Sequence, residues 1–350
     1  MERIKWLDMS RGLAIILLIV MHNAGALESR NFITKDTLDV IYGLLRIATP
    51  FFMFTFGLAF YITASKKIGR LGLIEYYQSN VLKRLLYILI GREIIVIILS
   101  FRHPEMAENL ISILLFQDFS KGGEILIFYF FAFLVAPLNV LLLQKIKLIF
   151  YILFWLVVYS VSFYIGVTYV NQQSNNVLRF LFYDVYAFVP FLIVVATAMA
   201  AAKFYMESDN KEKFLKSGFL VGSVMCISGF LLLQSMSSDI WASLSVAEFK
   251  KPPYPGFLLF YLGEVFIVIA LVAFCSERIP RFINRILSTL GRNTLVSYVT
   301  HYTFFASVPL AAALGGGAVL EVLALAVICT LTYVGITKWD ARKANKKKST

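Results

Sequence analysis

The sequence predicts an all-α, polytopic membrane bundle of about ten transmembrane helices with both termini cytoplasmic. Three observations carry that expectation. Of 350 residues, 59% are hydrophobic and 15% charged, with a mean hydropathy of +0.76, whereas soluble domains run near ~45–50% apolar and ~25% charged. The apolar residues fall into runs of about the 20 residues that a helix needs to cross the hydrocarbon. Basic residues then alternate between the loops these runs define. With the N-terminus cytoplasmic, the inner segments carry 24 Lys and Arg, the outer loops seven, and the spans only Arg46 and Arg92. That is the positive-inside pattern. The net charge of +12 therefore reads as orientation, and nucleic acid is excluded as a partner.

Span one covers 10–27 and follows a basic start; no cleavable signal peptide is expected there, because the apolar stretch runs into His22-Asn23 instead of a small-residue cleavage site. Arg11 and His22 are eleven positions apart, three helical turns to within about 20°, and Asp8 lies about 40° off the same stripe. At 1.5 Å per residue His22 stands about 16 Å beyond Arg11, near mid-bilayer, where an imidazole can exchange a proton near neutral pH. Span two, 40–63, holds Arg46 four residues before Pro50, facing the outer side. Span three, 84–101, has Lys83-Arg84 at its inner mouth, suited to an anionic phosphate or to anchoring the helix. Inside it, Arg92 and Glu93 are neighbours whose side chains diverge by about 100°, so each is expected to find a partner elsewhere. Leu110 to Phe116 is too short to cross and is expected to lie at the interface or to re-enter.

Spans four to seven follow at 124–144, 148–170, 180–202 and 217–234, the third of these containing Asp184. Span eight, 256–275, contains Glu264. Span nine, 292–313, places Asn293, Ser297 and His301 at i, i+4 and i+8, one polar stripe reaching a depth similar to His22. Two such histidines point to one shared cavity, although Ser and Asn at this spacing also serve as interhelix hydrogen bonders. Span ten, 317–337, contains Glu321 beside a triple-glycine turn, and 338–350 is a basic cytoplasmic tail. Residues 1–350 thus form a single transmembrane domain with no soluble part.

Familiar catalytic motifs such as GxSxG, HExxH, a P-loop or CxxC are missing. Cys226, Cys275 and Cys329 lack metal-type spacing, and His103 is the third and last histidine, in an outer loop. No metal is expected. The aromatic residues read as packing and lipid-facing bulk.

The opening text Arg3, Leu7, Asp8, Arg11, Gly12, Ala14 and His22 resembles the start of the transmembrane acyltransferase superfamily, acyltransferase-3 proteins and the heparan-glucosaminide N-acetyltransferase-like branch. Thr49-Pro50-Phe51-Phe52, Lys83-Arg84-Leu85-Leu86, Lys251-Pro252-Pro253-Tyr254-Pro255 and Leu290-Gly291-Arg292-Asn293 with Tyr298 and His301 are similar in the expected order. The basic-x-x-basic pattern is broken, with Tyr87 where a second Arg stands in that family. The resemblance implies an acyltransferase that takes an acyl group, typically acetyl, from cytoplasmic acyl-CoA, a co-substrate and not a resident cofactor. Its acceptor would be an extracytoplasmic or lipid-linked glycan. It implies His22 as the catalytic histidine with Arg11 and Asp8 as companions. His301, Asn293, Ser297, Arg46, Lys83 and Arg84 are the expected substrate-binding residues, and membrane lipid is the surrounding partner. A proton-coupled secondary transporter or glycolipid flippase is the alternative; the sequence shows no inverted repeat of the kind many transporters carry. Abundant Ile, Lys and Phe suit a bacterial inner membrane. Whether the chain forms a homo-oligomer is left open.

Overall fold

The computed structural model describes residues 4–23, 34–101, 104–116, 123–172, 175–305, 334–335 and 337–338. Among these every named element is helical, and extended backbone pairs only at a bridge between Lys250 and Pro253. In chain order the helices are α1 (Lys5–Asn23), α2 (Lys35–Leu45), α3 (Ala48–Leu71) and α4 (Leu73–Tyr76), which runs through a π-helical turn (Tyr77–Val81) into α5 (Leu82–Ser100). Two short helices follow, α6 (Pro104–Glu108) and α7 (Leu110–Leu114). Then come α8 (Glu124–Lys145), α9 (Leu148–Ile165) with a second π-helical turn (Gly166–Val170), α10 (Asn176–Phe182), α11 (Phe188–Glu207) and α12 (Lys211–Gln234). The chain continues with α13 (Ile240–Ser245), α14 (Pro255–Cys275), α15 (Arg281–Arg292) and α16 (Thr294–Phe305).

Among the described residues six stretches are long and apolar enough to cross a membrane: Lys35–Leu71, Glu124–Lys145, Leu148–Val170, Phe188–Glu207, Lys211–Gln234 and Pro255–Cys275. Helices suit that setting because they satisfy their own backbone hydrogen bonds. The α2–α3 stretch is 83% buried over its most apolar window and forms the centre, whereas α12 is 17% buried. The exposed faces of α9 and α12 are apolar, with Phe150, Val157, Leu220 and Ile227 turned outward, a surface that hydrocarbon accepts and water does not. α1 and α5, 19 residues each, carry charged residues and stand outside these six.

Glycine lets helices touch backbone to backbone where two pairs cross. A Cβ on Gly12 of α1 would sit 2.0 Å from the Leu287 carbonyl oxygen, and one on Gly291 of α15 would sit 1.8 Å from that of Asp8. On the other side, Gly222 and Gly229 of α12 meet Gly256, Phe260 and Gly263 of α14 equally closely.

The structure corrects several boundaries. The segment expected as one helix over 40–63 breaks at Arg46–Ile47, and the new helix runs on to Leu71. Pro50 offers no N–H to the Arg46 carbonyl and its ring would clash with it, so the ladder ends there. The segment 180–202 is not one helix either: α10 ends at Phe182 and α11 starts at Phe188, with Pro190 in its first turn, where its missing N–H costs nothing. Asp184 therefore lies in a turn and pairs with Arg179 at 3.0 Å. The segment 292–313 breaks at Asn293. Arg92 and Glu93 do not diverge: Arg92 Nη1 lies 2.8 and 3.0 Å from the two Glu93 oxygens, because the long flexible arginine arm crosses back over its neighbour. Its other nitrogen, Nη2, donates to the Ile113 carbonyl at 2.6 Å, and its guanidinium stacks 4.5 Å from the Phe116 ring centre. The short segment 110–116 is thus pinned to the middle of α5. Glu321, His103 and nearly all of 317–337 and 338–350 lie outside the described residues.

Candidate active site

The Gly12–Gly291 crossing sets the geometry of the site. Asp8 and Arg11 lie within it on α1, Gly291 packing on the Asp8 carbonyl, and α15 ends one residue later, so α16 starts near the first turn of α1 and its later part reaches the end of α1. There the rings of His22 and His301 face each other, with centroids 5.7 Å apart and planes 30° from parallel. Tyr302 meets His22 edge-on at 5.4 Å, Tyr298 meets His301 at 5.1 Å, and the two tyrosine rings pack on each other at 5.2 Å. His301 is 2% exposed, and neither ring nitrogen makes a hydrogen bond of normal geometry.

The polar residues of span nine maintain the helix break itself. Asn293 Nδ2 donates to the Thr289 carbonyl at 3.1 Å, Thr294 Oγ1 to Gly291 at 2.7 Å and Ser297 Oγ to Leu290 at 3.2 Å. Breaking a helix frees such carbonyls, and inside a membrane they need donors from the chain. Asn293 and Ser297 thereby hold the kink that aims His301 at His22.

At one end of the site, Arg46 caps α2 and donates through Nη2 to the Ser245 carbonyl of α13, while its Nε is buried without a partner. α13 lies against α2 because Gly43 gives room to the Trp241 ring, and the Tyr261 hydroxyl of α14 ties to the Gly43 carbonyl. Lys250 reaches the same region from the loop before α14, with Nζ 4.1 Å from the centre of the Tyr186 ring. Burial, followed by the Arg46 charge, pushes this ammonium well below the usual lysine range, and Glu124 acts the other way. The charges of Arg46 and Lys250 both reach His22.

In another direction, an unbroken row of ring contacts leads from His301 to Arg84. Tyr298 meets Phe52 at 6.1 Å, Phe52 meets Tyr129 at 5.4 Å, Tyr129 meets Phe56 at 5.3 Å and Phe56 meets Phe133 at 4.7 Å. The Arg84 guanidinium lies 5.7 Å from the Phe133 ring centre. Phe52 and Phe56 are one turn apart on α3, as are Tyr129 and Phe133 on α8, so the two helices interdigitate. Arg11 acts electrostatically on the Tyr129 hydroxyl, which is buried and makes no hydrogen bond. Lys83 and Arg84 are exposed at the start of α5. Glu264, on α14, has a buried oxygen without a partner and its charge reaches Cys226 and Tyr261.

Sequence reasoning brought out both histidines, Arg11, Arg46 and Arg84, but counted Lys250 as an ordinary outer-loop cation and treated the aromatic residues as bulk. The i, i+4 pairs Phe52/Phe56 and Tyr129/Phe133 were the available signal for the row; nothing in the sequence turned Lys250 inward.

No curated protein and no solved structure matches the chain. The family whose model does match is described as an acyltransferase domain, of the acyltransferase-3 type, and the match runs over residues 4–337. It takes in α1 with His22, the ring row and the α15–α16 break together, and the chain belongs to that family of acyltransferases.

Proposed function

We propose that the protein moves an acyl group, acetyl in the simplest case, from cytoplasmic acyl-CoA to a hydroxyl or amine of an extracytoplasmic or lipid-linked glycan. The observation that supports this reading is the row of rings joining Arg84 to the His22–His301 pair, with cations at both ends. A polar, anionic donor and a polar acceptor need opposite entrances, and the thioester needs an apolar path between them. Lys83, Arg84 and Arg11 offer charge to the CoA phosphates, Arg with the planar fork that suits them.

At the far end His22 takes the proton of the acceptor group as its oxygen or nitrogen attacks the thioester carbonyl, and the CoA thiolate leaves toward the cytoplasm. Attack by the His22 imidazole itself, followed by acyl transfer, uses the same geometry. His301 holds the reacting oxygen from the opposite side, and Asp8 and Arg11 steady the inner half of α1. Ten spans with both termini cytoplasmic accommodate this route, α1 and α5 crossing in spite of their charges, in a bacterial inner membrane.

Purified full-length protein incubated with labelled acetyl-CoA and a glycan acceptor tests the reading. Transfer is expected, with His22→Ala slowing it by about 10²–10⁴ while protection by acetyl-CoA against thermal unfolding persists. Full transfer by His22→Ala overturns the role of that residue.

A further inference from the structure

Among the described residues, the Arg46 end of the site carries more positive charge than its contacts use. Lys250 is 2% exposed although it lies in a loop, and fully buried lysines are almost always paired. Here the ammonium rests on the Tyr186 face, and among the described residues no carboxylate lies within ion-pair distance of it. Its position is built in: Lys250 bridges to Pro253, whose carbonyl accepts from the Tyr159 hydroxyl of α9 at 2.8 Å.

Arg46 converges on the same region with Nε buried and unpartnered. Glu124 is the acid whose charge reaches Lys250, so among the described residues two cations face one carboxylate, and the exposed Lys251 adds a third cation. An uncompensated buried cation is costly unless something pairs with it. The charges of both cations reach His22, so an anion held between them lies within electrostatic range of the reacting group.

We propose that Arg46 and Lys250 together bind an anionic group of the acceptor, a carboxylate or a phosphate, so that acidic glycans or glycan phosphates are selected over neutral sugars. That the bound molecule is an acceptor rests on the acyl-transfer reading, but the binding site is testable without any acyl donor. An arginine fork and a lysine point charge are complementary in holding an anion, since the first orients it and the second neutralises it.

The experiment measures thermal stabilisation of the detergent-solubilised full chain by glucuronate, glucose 1-phosphate and glucose, with acetyl-CoA in a separate titration. One or both anionic sugars are expected to stabilise at concentrations about tenfold or more below glucose. Preference for glucuronate identifies a carboxylate, and preference for glucose 1-phosphate a phosphate. Lys250→Met is expected to remove the preference and Lys250→Arg to keep most of it, so a loss caused by misfolding is recognised by a melting temperature that falls before any ligand is added. Equal stabilisation by all three sugars, or an undiminished preference in Lys250→Met, overturns the proposal. Stabilisation by anionic sugars without any effect of acetyl-CoA retains the anion site and removes the acyl-transfer reading.

Discussion

The imidazoles of His22 and His301 stack 5.7 Å apart although they come from opposite ends of the chain. A pair in this contact acts as one unit, so substitutions at the two positions are expected to be far from additive. His301→Ala should slow acyl transfer by about 10²-fold, and the double variant should be little worse than His22→Ala alone. Single-turnover rates of the three variants check this; strictly multiplicative losses would separate the two residues.

Gly12→Ala and Gly291→Ala should each destabilise the protein by at least about 1–3 kcal/mol, because the added methyl meets backbone that cannot step aside. Gly69→Ala, at a helical position with nothing within 4 Å, should be neutral or slightly stabilising. Melting temperatures in detergent compare the three.

The architecture was legible where apolar length and charge alternation decide it. Spans 124–144, 148–170 and 256–275 correspond closely to α8, the α9 segment and α14, because long apolar runs leave the backbone no other arrangement. The breaks at Arg46, Tyr183 and Asn293 were not legible. Each depends on where a proline or a capping side chain lies relative to a neighbouring helix, and hydropathy does not register that. At the site, helical spacing identified the histidines, but their contact depends on Gly12 and Gly291, which stood out as motif positions without any sign that the two pack against one another. Arg92 was misjudged because angular separation at Cβ does not limit where a long side chain ends.

Tyr129→Phe should keep or raise the melting temperature, since it removes a buried hydroxyl that makes no hydrogen bond. If that hydroxyl meets the thioester, kcat falls in the same variant. A stability scan and a rate measurement on one preparation answer both.

Arg92→Leu should cost about 1–3 kcal/mol, since it leaves the Ile113 carbonyl without its donor while the part-exposed Glu93 can turn to solvent, and should release the segment held through Ile113 and Phe116. Faster hydrogen exchange in 104–116 than in α8 is the expected signature. Arg92→Lys should recover only part of it, as one ammonium cannot serve Glu93, Ile113 and the Phe116 ring together.

Anion binding between Arg46 and Lys250 should weaken as pH rises. The groups facing Lys250 are Arg46 from α2, Tyr186 before α11, Glu124 from α8 and Lys251 beside it. Burial lowers the lysine's affinity for its proton, and an arriving anion restores it, so binding takes up a proton. Affinity for the anionic sugar is then greatest below the lysine's folded pKa and declines above it, by at most about tenfold per pH unit. Titrations at several pH values follow the decline, and Lys250→Arg, which stays charged, should flatten it.

The glycine crossing of α1 on α15 also limits how the molecule can work. Helices that touch backbone to backbone are interlocked like teeth: neither slides or rolls without one carbonyl being driven into the other chain. Asp8 and Arg11 stand at this fulcrum and the two histidines beyond it, so their separation is a fixed ruler. A carrier that exposes its cargo alternately to each face has to rock helices past one another, and in any such motion α1 and α15 would have to travel together as one rigid lever.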